Sequence, residues 1–223
     1  MREVQRAVKG LVLMSAALDK VAQSLMVGKV PAMWLAKSFP SLKPLAPYVK
    51  EVIERCKFFE NWFQGGPPVV FWMSGFFFTH SFMTAAKQNY ARKHKLAIDM
   101  VEFDYEIKDG AADCFIAPSN GVYCSGLFIE GCQWDYNKHQ LEESAPKTLF
   151  TSMPNIWMKP VRNEDLRTFP HYNCPLYKTS DRRGILSTTG HSTNFVMDIK
   201  LPSIKKESHW IRRGVAMLTS LDD

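Results

Sequence analysis

The stretch Leu96-Ala97-Ile98-Asp99-Met100-Val101-Glu102-Phe103-Asp104-Tyr105-Glu106-Ile107 is where the hydrophobic period of the sequence changes. Val101, Phe103, Tyr105 and Ile107 alternate with Glu102, Asp104 and Glu106, which puts apolar side chains on one face of a strand and carboxylates on the other. Upstream, the period is helical. Val4, Val8, Leu11, Leu18, Val21 and Leu25 recur at three, four and seven, so Arg2 to Val27 reads as one amphipathic helix, with Gly28 just past its end. A short turn carrying Met33 and Trp34 leads through Pro40, Pro44 and Pro47 into a second long helix, Leu45 to Phe63, stopped by Gly65-Gly66-Pro67-Pro68. A third runs from about His80 to Lys95, with Phe82, Ala85, Ala86 and Tyr90 as its inner face.

Downstream of Leu96 the strand candidates are Val122 to Glu130, Asn155 to Val161, Cys174 to Thr179, Asn194 to Leu201 and Val215 to Leu221. Turn pairs such as Asp109-Gly110, Asn120-Gly121 and Arg183-Gly184 punctuate them, and no long helix intervenes. The expected fold class is therefore α+β: an N-terminal helical bundle subdomain, residues 1–96, followed by an antiparallel sheet curling into a barrel or sandwich, residues 97–223.

With 223 residues, 46% of them apolar and 22% charged, the protein is long enough to bury roughly 70% of its extended surface, which excludes disorder over most of its length. Its 15 Phe, 7 Tyr and 6 Trp exceed what a lone domain hides easily, so some are expected at an interface. The longest strongly apolar run, Val69 to Phe78, is ten residues against the ~20 of a bilayer span, so no membrane partner is expected. Met1 to Lys9 carries both signs of charge and reads as helix, not as a signal peptide. Five cysteines, none spaced C-x-x-C, and no Asn-x-Ser/Thr site point to free thiols in a reducing compartment.

The net charge of +6 is unevenly spread: residues 1–95 hold 14 Lys/Arg against 5 Asp/Glu, and the remainder 14 against 17. Lys20, Lys29, Lys37, Lys43, Lys50 and Lys57 are dispersed and do not cluster with aromatics, which argues against a nucleic-acid partner.

Catalytic signatures are missing. The run from Gly184 to Ser192 has five residues between its glycines and His191 where a phosphate-binding loop needs Lys. H-E-x-x-H, G-x-S-x-G and calcium-loop spacings do not occur. Cys124, Cys132 or Cys174 could pair with His191 as nucleophile and base, although a buried strand cysteine is the commoner use of such a residue. Glu142 and Glu143 are adjacent, which sends their side chains apart and suits a solvated loop better than acid/base work. Ser187 to Asn194 is a polar run able to lock its own backbone into a rigid turn.

A set of ordered motifs carries a family resemblance. Trp72-Met73-Ser74-Gly75-Phe76-Phe77, Gln88-Asn89-Tyr90-Ala91-Arg92, Gly126-Leu127-Phe128-Ile129-Glu130-Gly131 and Glu143-Ser144-Ala145-Pro146-Lys147 are followed by Cys174-Pro175-Leu176-Tyr177-Lys178-Thr179, Thr189-Gly190-His191-Ser192-Thr193-Asn194-Phe195-Val196 and His209-Trp210-Ile211-Arg212-Arg213-Gly214-Val215-Ala216. Together with Gly28-Lys29-Val30-Pro31 and Pro40-Ser41-Leu42-Lys43-Pro44 they closely resemble the C-terminal domain of dynein heavy chains, most of all the axonemal type. Thr79-His80 stands where that family often has Pro-Gln, and Gly131-Cys132-Gln133-Trp134-Asp135 replaces a commoner Gly-Ala-Arg-Trp-Asp, so any contact of the usual Arg is lost at Gln133.

The resemblance implies a non-catalytic regulatory and structural module lying on one face of the AAA+ motor ring of the same heavy chain, as a helical subdomain followed by an incomplete β-barrel. It implies ATP and Mg in AAA modules outside this chain and no cofactor within it. Its implied partners are those AAA+ modules, microtubules through the parent motor, and other dynein subunits. Its implied location is the cytoplasmic cytoskeleton, in the axoneme of a cilium or flagellum. Within the motifs, Trp72, Phe76, Phe77, His191, Asn194 and Trp210 are the candidate residues for a subdomain or ring interface, with no catalytic or metal residue among them. Two other readings stay open: a free-standing β-domain that binds a protein ligand, and a Cys/His hydrolase.

Overall fold

The computed structural model describes residues 1–110, 113–184 and 193–222. In sequence order the elements are α1 (Arg2–Val8), α2 (Ala16–Met26), α3 (Ala32–Leu35), α4 (Leu45–Gly65), β1 (Val70–Trp72), α5 (Thr79–His94), β2 (Val101–Lys108), β3 (Val122–Ser125), β4 (Phe128–Glu130), β5 (Cys132–Asp135), β6 (Gln140–Glu143), β7 (Phe150–Ser152), β8 (Asn155–Arg162), β9 (His171–Tyr177), β10 (Phe195–Pro202), α6 (Glu207–Arg212) and β11 (Ala216–Leu218). The protein divides into two compact units, Met1–Phe59 (joined by Asp222) and Glu60–Leu221, with the division inside α4.

The larger unit holds every strand among the described residues, in sheets ordered β1-β3-β8-β2, β10-β9-β11-β4-β7 and β5-β6. The α+β class holds, but none of these sheets closes into a barrel. Nor is the pairing purely antiparallel, because β1 runs parallel to β3 and β11 parallel to β9. Both parallel ladders join segments far apart in sequence, which hairpin-like turn spacing cannot announce. The expected strand Val122 to Glu130 is two strands, broken at Gly126, whose φ of +77° lies outside extended backbone. Phe103, Ile129, Ile156, Met158, Leu176, Ile199, Leu201, Trp210 and Met217 are almost fully excluded from water. Met73, Met83 and Ala86, all upstream of Leu96, belong to the same buried cluster. The compact division accordingly falls at Phe59 and not at Leu96, where the hydrophobic period switches, because α5 supplies part of the core of the sheets.

The smaller unit is helical. Instead of one helix from Arg2 to Val27 there are two, α1 and α2, because Gly10 takes a φ of +72° and Ser15 caps α2 by accepting from Leu18 N at 3.3 Å. Gly28 carries φ +68° just beyond α2, and its carbonyl accepts from Leu45 N at the start of α4. Few apolar side chains are buried here: Val4, Ala7, Val21, Pro31, Phe39 and Tyr48. The centre of the unit is polar. Glu51 and Arg55, one turn apart on α4, are 5% and 3% exposed, and Arg55 Nε and Nη2 donate to Glu51 Oε1 at 3.1 and 2.5 Å. Lys43 Nζ lies 3.1 Å from Glu51 Oε2, and the Arg55 guanidinium sits 3.5 Å over the Phe39 ring, which stacks on Tyr48. Burial pushes the Arg55 pKa down, opposed by the hydrogen bond and charge of Glu51.

Removing one member of a buried ion pair leaves the other uncompensated. Arg55→Ala is therefore expected to destabilise residues 1–59 by about 3–5 kcal/mol. Amide hydrogen exchange by mass spectrometry should show lost protection in α2 and the first half of α4, with Glu51→Leu/Arg55→Met recovering much of it; unchanged exchange in Arg55→Ala would contradict this role.

Candidate functional site

The motif segment 72–77 ends β1 and passes into a 3-10 turn, Met73–Gly75. Ser74, 6% exposed, points its hydroxyl at two backbone carbonyls: that of Gly126 at 2.9 Å, between β3 and β4, and that of Thr219, just after β11. Thr219 is itself tied to β9, its N–H donating to Tyr177 O at 2.9 Å and its Oγ1 to Lys178 O at 3.1 Å. Trp72 lies against the same linker, since a Cβ built on Gly126 would come within 2.5 Å of Trp72 Cδ1. Phe76 is buried, stacks on Phe82 of α5 with centroids 4.0 Å apart, and meets Trp62 and Phe71 edge-on or tilted. Phe77 is half-buried. Residues before Leu96 are thus fastened to strands after it.

The other candidates are internal or lie outside the described residues. Asn194, 4% exposed, accepts from Thr179 N through Oδ1 at 3.1 Å, and its Nδ2 donates to Thr179 Oγ1 at 3.0 Å, closing the loop between β9 and β10. Trp210 of α6 is fully buried and donates its indole N–H to Ser203 Oγ at 2.8 Å. Both serve the inside of the unit and present no surface to a ring. His191, with residues 185–192, falls outside the described residues.

One constellation was not anticipated from the sequence. Asp109 Oδ2 accepts from Trp134 Nε1 at 2.9 Å and lies 2.7 Å from His139 Nδ1. Burial works against its charge, yet the Trp134 and His139 hydrogen bonds hold its carboxyl below the usual range. His139 carries a φ of +51°, an uncommon backbone for a non-glycine residue. Nearby, Arg167 Nε and Nη2 reach Asp104 at 2.5 and 3.2 Å, and Nη2 also donates to the Tyr105 carbonyl at 2.8 Å. Trp134, His139, Arg167, Phe169 and the β2 residues Tyr105 and Ile107 line a cavity of about 610 Å³. Asp109 reads in the sequence as a turn residue, and its partners lie 25 and 30 positions away, so only the motif Gly131 to Asp135 flagged the neighbourhood.

Comparison with known proteins gives a consistent result. The family profile for the C-terminal domain of dynein heavy chains matches residues 1–219. This chain belongs to that family. It is 52% identical over 221 residues to dynein axonemal heavy chain 3 of Mus musculus, covering 99% of the chain and 5% of that protein. It is 47% identical over 224 residues to dynein axonemal heavy chain 12 of Homo sapiens, covering 100% and 7%. To dynein axonemal heavy chain 1 of Homo sapiens it is 44% identical over 223 residues, covering 100% and 5%. The chain thus spans 5–7% of the length of these relatives.

As a dynein C-terminal domain it is a portion of a heavy chain and is not itself the ATPase site. Its strand cysteines are poor nucleophiles: Cys124, Cys132 and Cys174 are buried, and burial pushes all three thiols up, Cys132 to about 12. Among the described residues no three His, Cys, Asp or Glu side chains converge on a metal position.

The contact of Trp72 with Gly126 makes that glycine a sensitive point. Gly126 and Gly66 share positive φ, +77° and +83°, but a Cβ at Gly66 meets nothing within 4 Å. Gly126→Ala should lower stability by about 1–3 kcal/mol more than Gly66→Ala, the excess reporting overpacking on Trp72. Chemical denaturation of the two variants checks this; equal losses would mean that the indole yields freely.

Proposed function

We propose that this dynein C-terminal domain is a non-catalytic structural and regulatory module that packs on the AAA+ ring of its own heavy chain and modulates microtubule-based movement in the axoneme of a cilium or flagellum. The observation that carries the reading is the family match over residues 1–219, backed by relatives named as axonemal heavy chains. On this reading ATP and Mg are handled by AAA modules elsewhere in the heavy chain, and microtubules are reached through the motor.

The surface of residues 1–59 suits docking. This unit carries 10 Lys/Arg against 4 Asp/Glu. Leu13, Met26, Val27 and Met33 are 92%, 87%, 68% and 53% exposed, and a cavity of about 630 Å³ opens beside Lys20, Val27, Lys29 and Met33. Apolar side chains exposed in such number beside cations fit a partner surface with an apolar centre and an acidic rim. In contrast, Trp72, Phe76, Asn194 and Trp210 act within residues 60–221, so their part in docking is to keep the module folded.

The experiment is Leu13→Glu/Met26→Glu/Met33→Glu in the intact heavy chain. These exposed positions should leave the fold unchanged, while stall force or run length changes with ATP turnover altered less, because an interface of this kind biases a conformational equilibrium by about 1–3 kcal/mol without touching nucleotide. Unchanged force and run length would remove the docking role from this face.

A further inference from the structure

β2 is an edge strand, paired with β8 on one side only. Side chains already cap much of its outward edge. Phe103 N donates to Glu102 Oε1 and Tyr105 N to Asp104 Oδ1, both at 3.0 Å, while Tyr105 O accepts from Arg167. Three main-chain groups on odd-numbered residues thus face away from β8, and by the two-residue repeat those of Ile107 face the same way. There the capping stops. Glu106 turns to Lys108 Nζ instead, and among the described residues no side chain bonds to the backbone of Ile107.

The uncapped end opens onto the cavity walled by Trp134 and Phe169. Its volume is in the range of ligand pockets, and aromatic walls beside a bare strand edge suit a polypeptide more than a compact metabolite. The groups around it already have partners: Arg167 with Asp104, Lys108 with Glu106, and Asp109 hydrogen-bonded to Trp134 and to the His139 ring. A complementary occupant is therefore uncharged. A second copy of this protein is a poor candidate, since pairing β2 on β2 would oppose Glu102, Asp104 and Glu106 to their own kind.

We propose that the uncapped edge of β2 at Ile107 and the adjoining Trp134/Phe169 cavity form a docking site for an extended, uncharged, apolar segment of a partner protein. The segment adds as a short strand, its backbone bonding the N–H and C=O of Ile107 while an alternate side group enters between Trp134 and Phe169. Arg167, held on Asp104 and on the Tyr105 carbonyl, marks where the added strand must end. The site draws on no residue of 1–59 and does not depend on ring docking.

The test uses the 223-residue protein and three acetylated, amidated heptapeptides, Thr-Leu-Thr-Xaa-Thr-Leu-Thr with Xaa Leu, Phe or Pro. Calorimetry should find saturable binding of at least one, and NMR should show slowed exchange of the Ile107 amide together with a shifted Trp134 indole proton. Methylating alternate peptide nitrogens should weaken binding roughly tenfold, the loss of about one main-chain hydrogen bond. Ile107→Pro, which removes an outward N–H and is tolerable on an edge strand, should do the same with circular dichroism unchanged. If that variant misfolds, the methylated peptides against the unaltered protein still decide. Binding insensitive to methylation, no binding of any peptide up to about 1 mM, or an Ile107 amide already protected in the free protein would overturn the proposal, as would concentration-dependent self-pairing through β2.

Discussion

One buried hydroxyl bridges the segments at which the two large sheets of the strand-bearing unit meet. Ser74 sits in a 3-10 turn where β1 gives way to α5, and its oxygen lies between the carbonyls of Gly126 and Thr219. Gly126 links β3 of the four-stranded sheet to β4 of the five-stranded one, and Thr219 directly follows β11, which lies between β9 and β4. Take the hydroxyl away and the two carbonyls lose the one proton they share, a cost of about 1–3 kcal/mol. The larger effect is geometric: the turn fixes where β1 meets β3, where α5 departs, and where Met73 enters the core.

The smaller unit rests on a different principle. With few apolar side chains buried, it centres on the Glu51–Arg55 pair and the Phe39–Tyr48 stack beneath the guanidinium. Charge buried in this way contributes little net stability but penalises every arrangement that leaves it unpaired. Apolar residues that a larger core would absorb, Leu13, Met26 and Val27 among them, remain on its surface. The two units are thus built unequally, residues 60–221 around an apolar cluster and residues 1–59 around a buried ion pair.

Long elements were legible because they repeat their period several times. The 21 residues of α4 and the 8 of β2, β8 and β10 give their side chains enough repeats to declare a helix or a strand. Strands of three or four residues such as β1, β5, β6 and β7 cannot, and the parallel pairing of β1 with β3 depends on contacts formed only on folding. The helical repeat from Val4 to Leu25 survived a real break at Gly10 because sequence period does not register a left-handed residue. The motif Trp72 to Phe77 pointed to the right segment, though not to Ser74 as its fastening. Trp210 and Asn194, named as candidates for a subdomain or ring interface, are buried, and indole and amide each have a partner inside the unit. Asp109, His139 and Trp134 meet only through the fold, so their grouping left no trace in spacing.

Ser74 thus couples the helix-bearing segment to both large sheets. Native-state amide hydrogen exchange on Ser74→Ala tests this coupling most directly, since the substitution nearly keeps the volume and removes the donor. Protection should fall together in β1, β3 and β11, well beyond the turn itself. Loss confined to residues 73–75, with β3 and β11 exchanging as before, would contradict it.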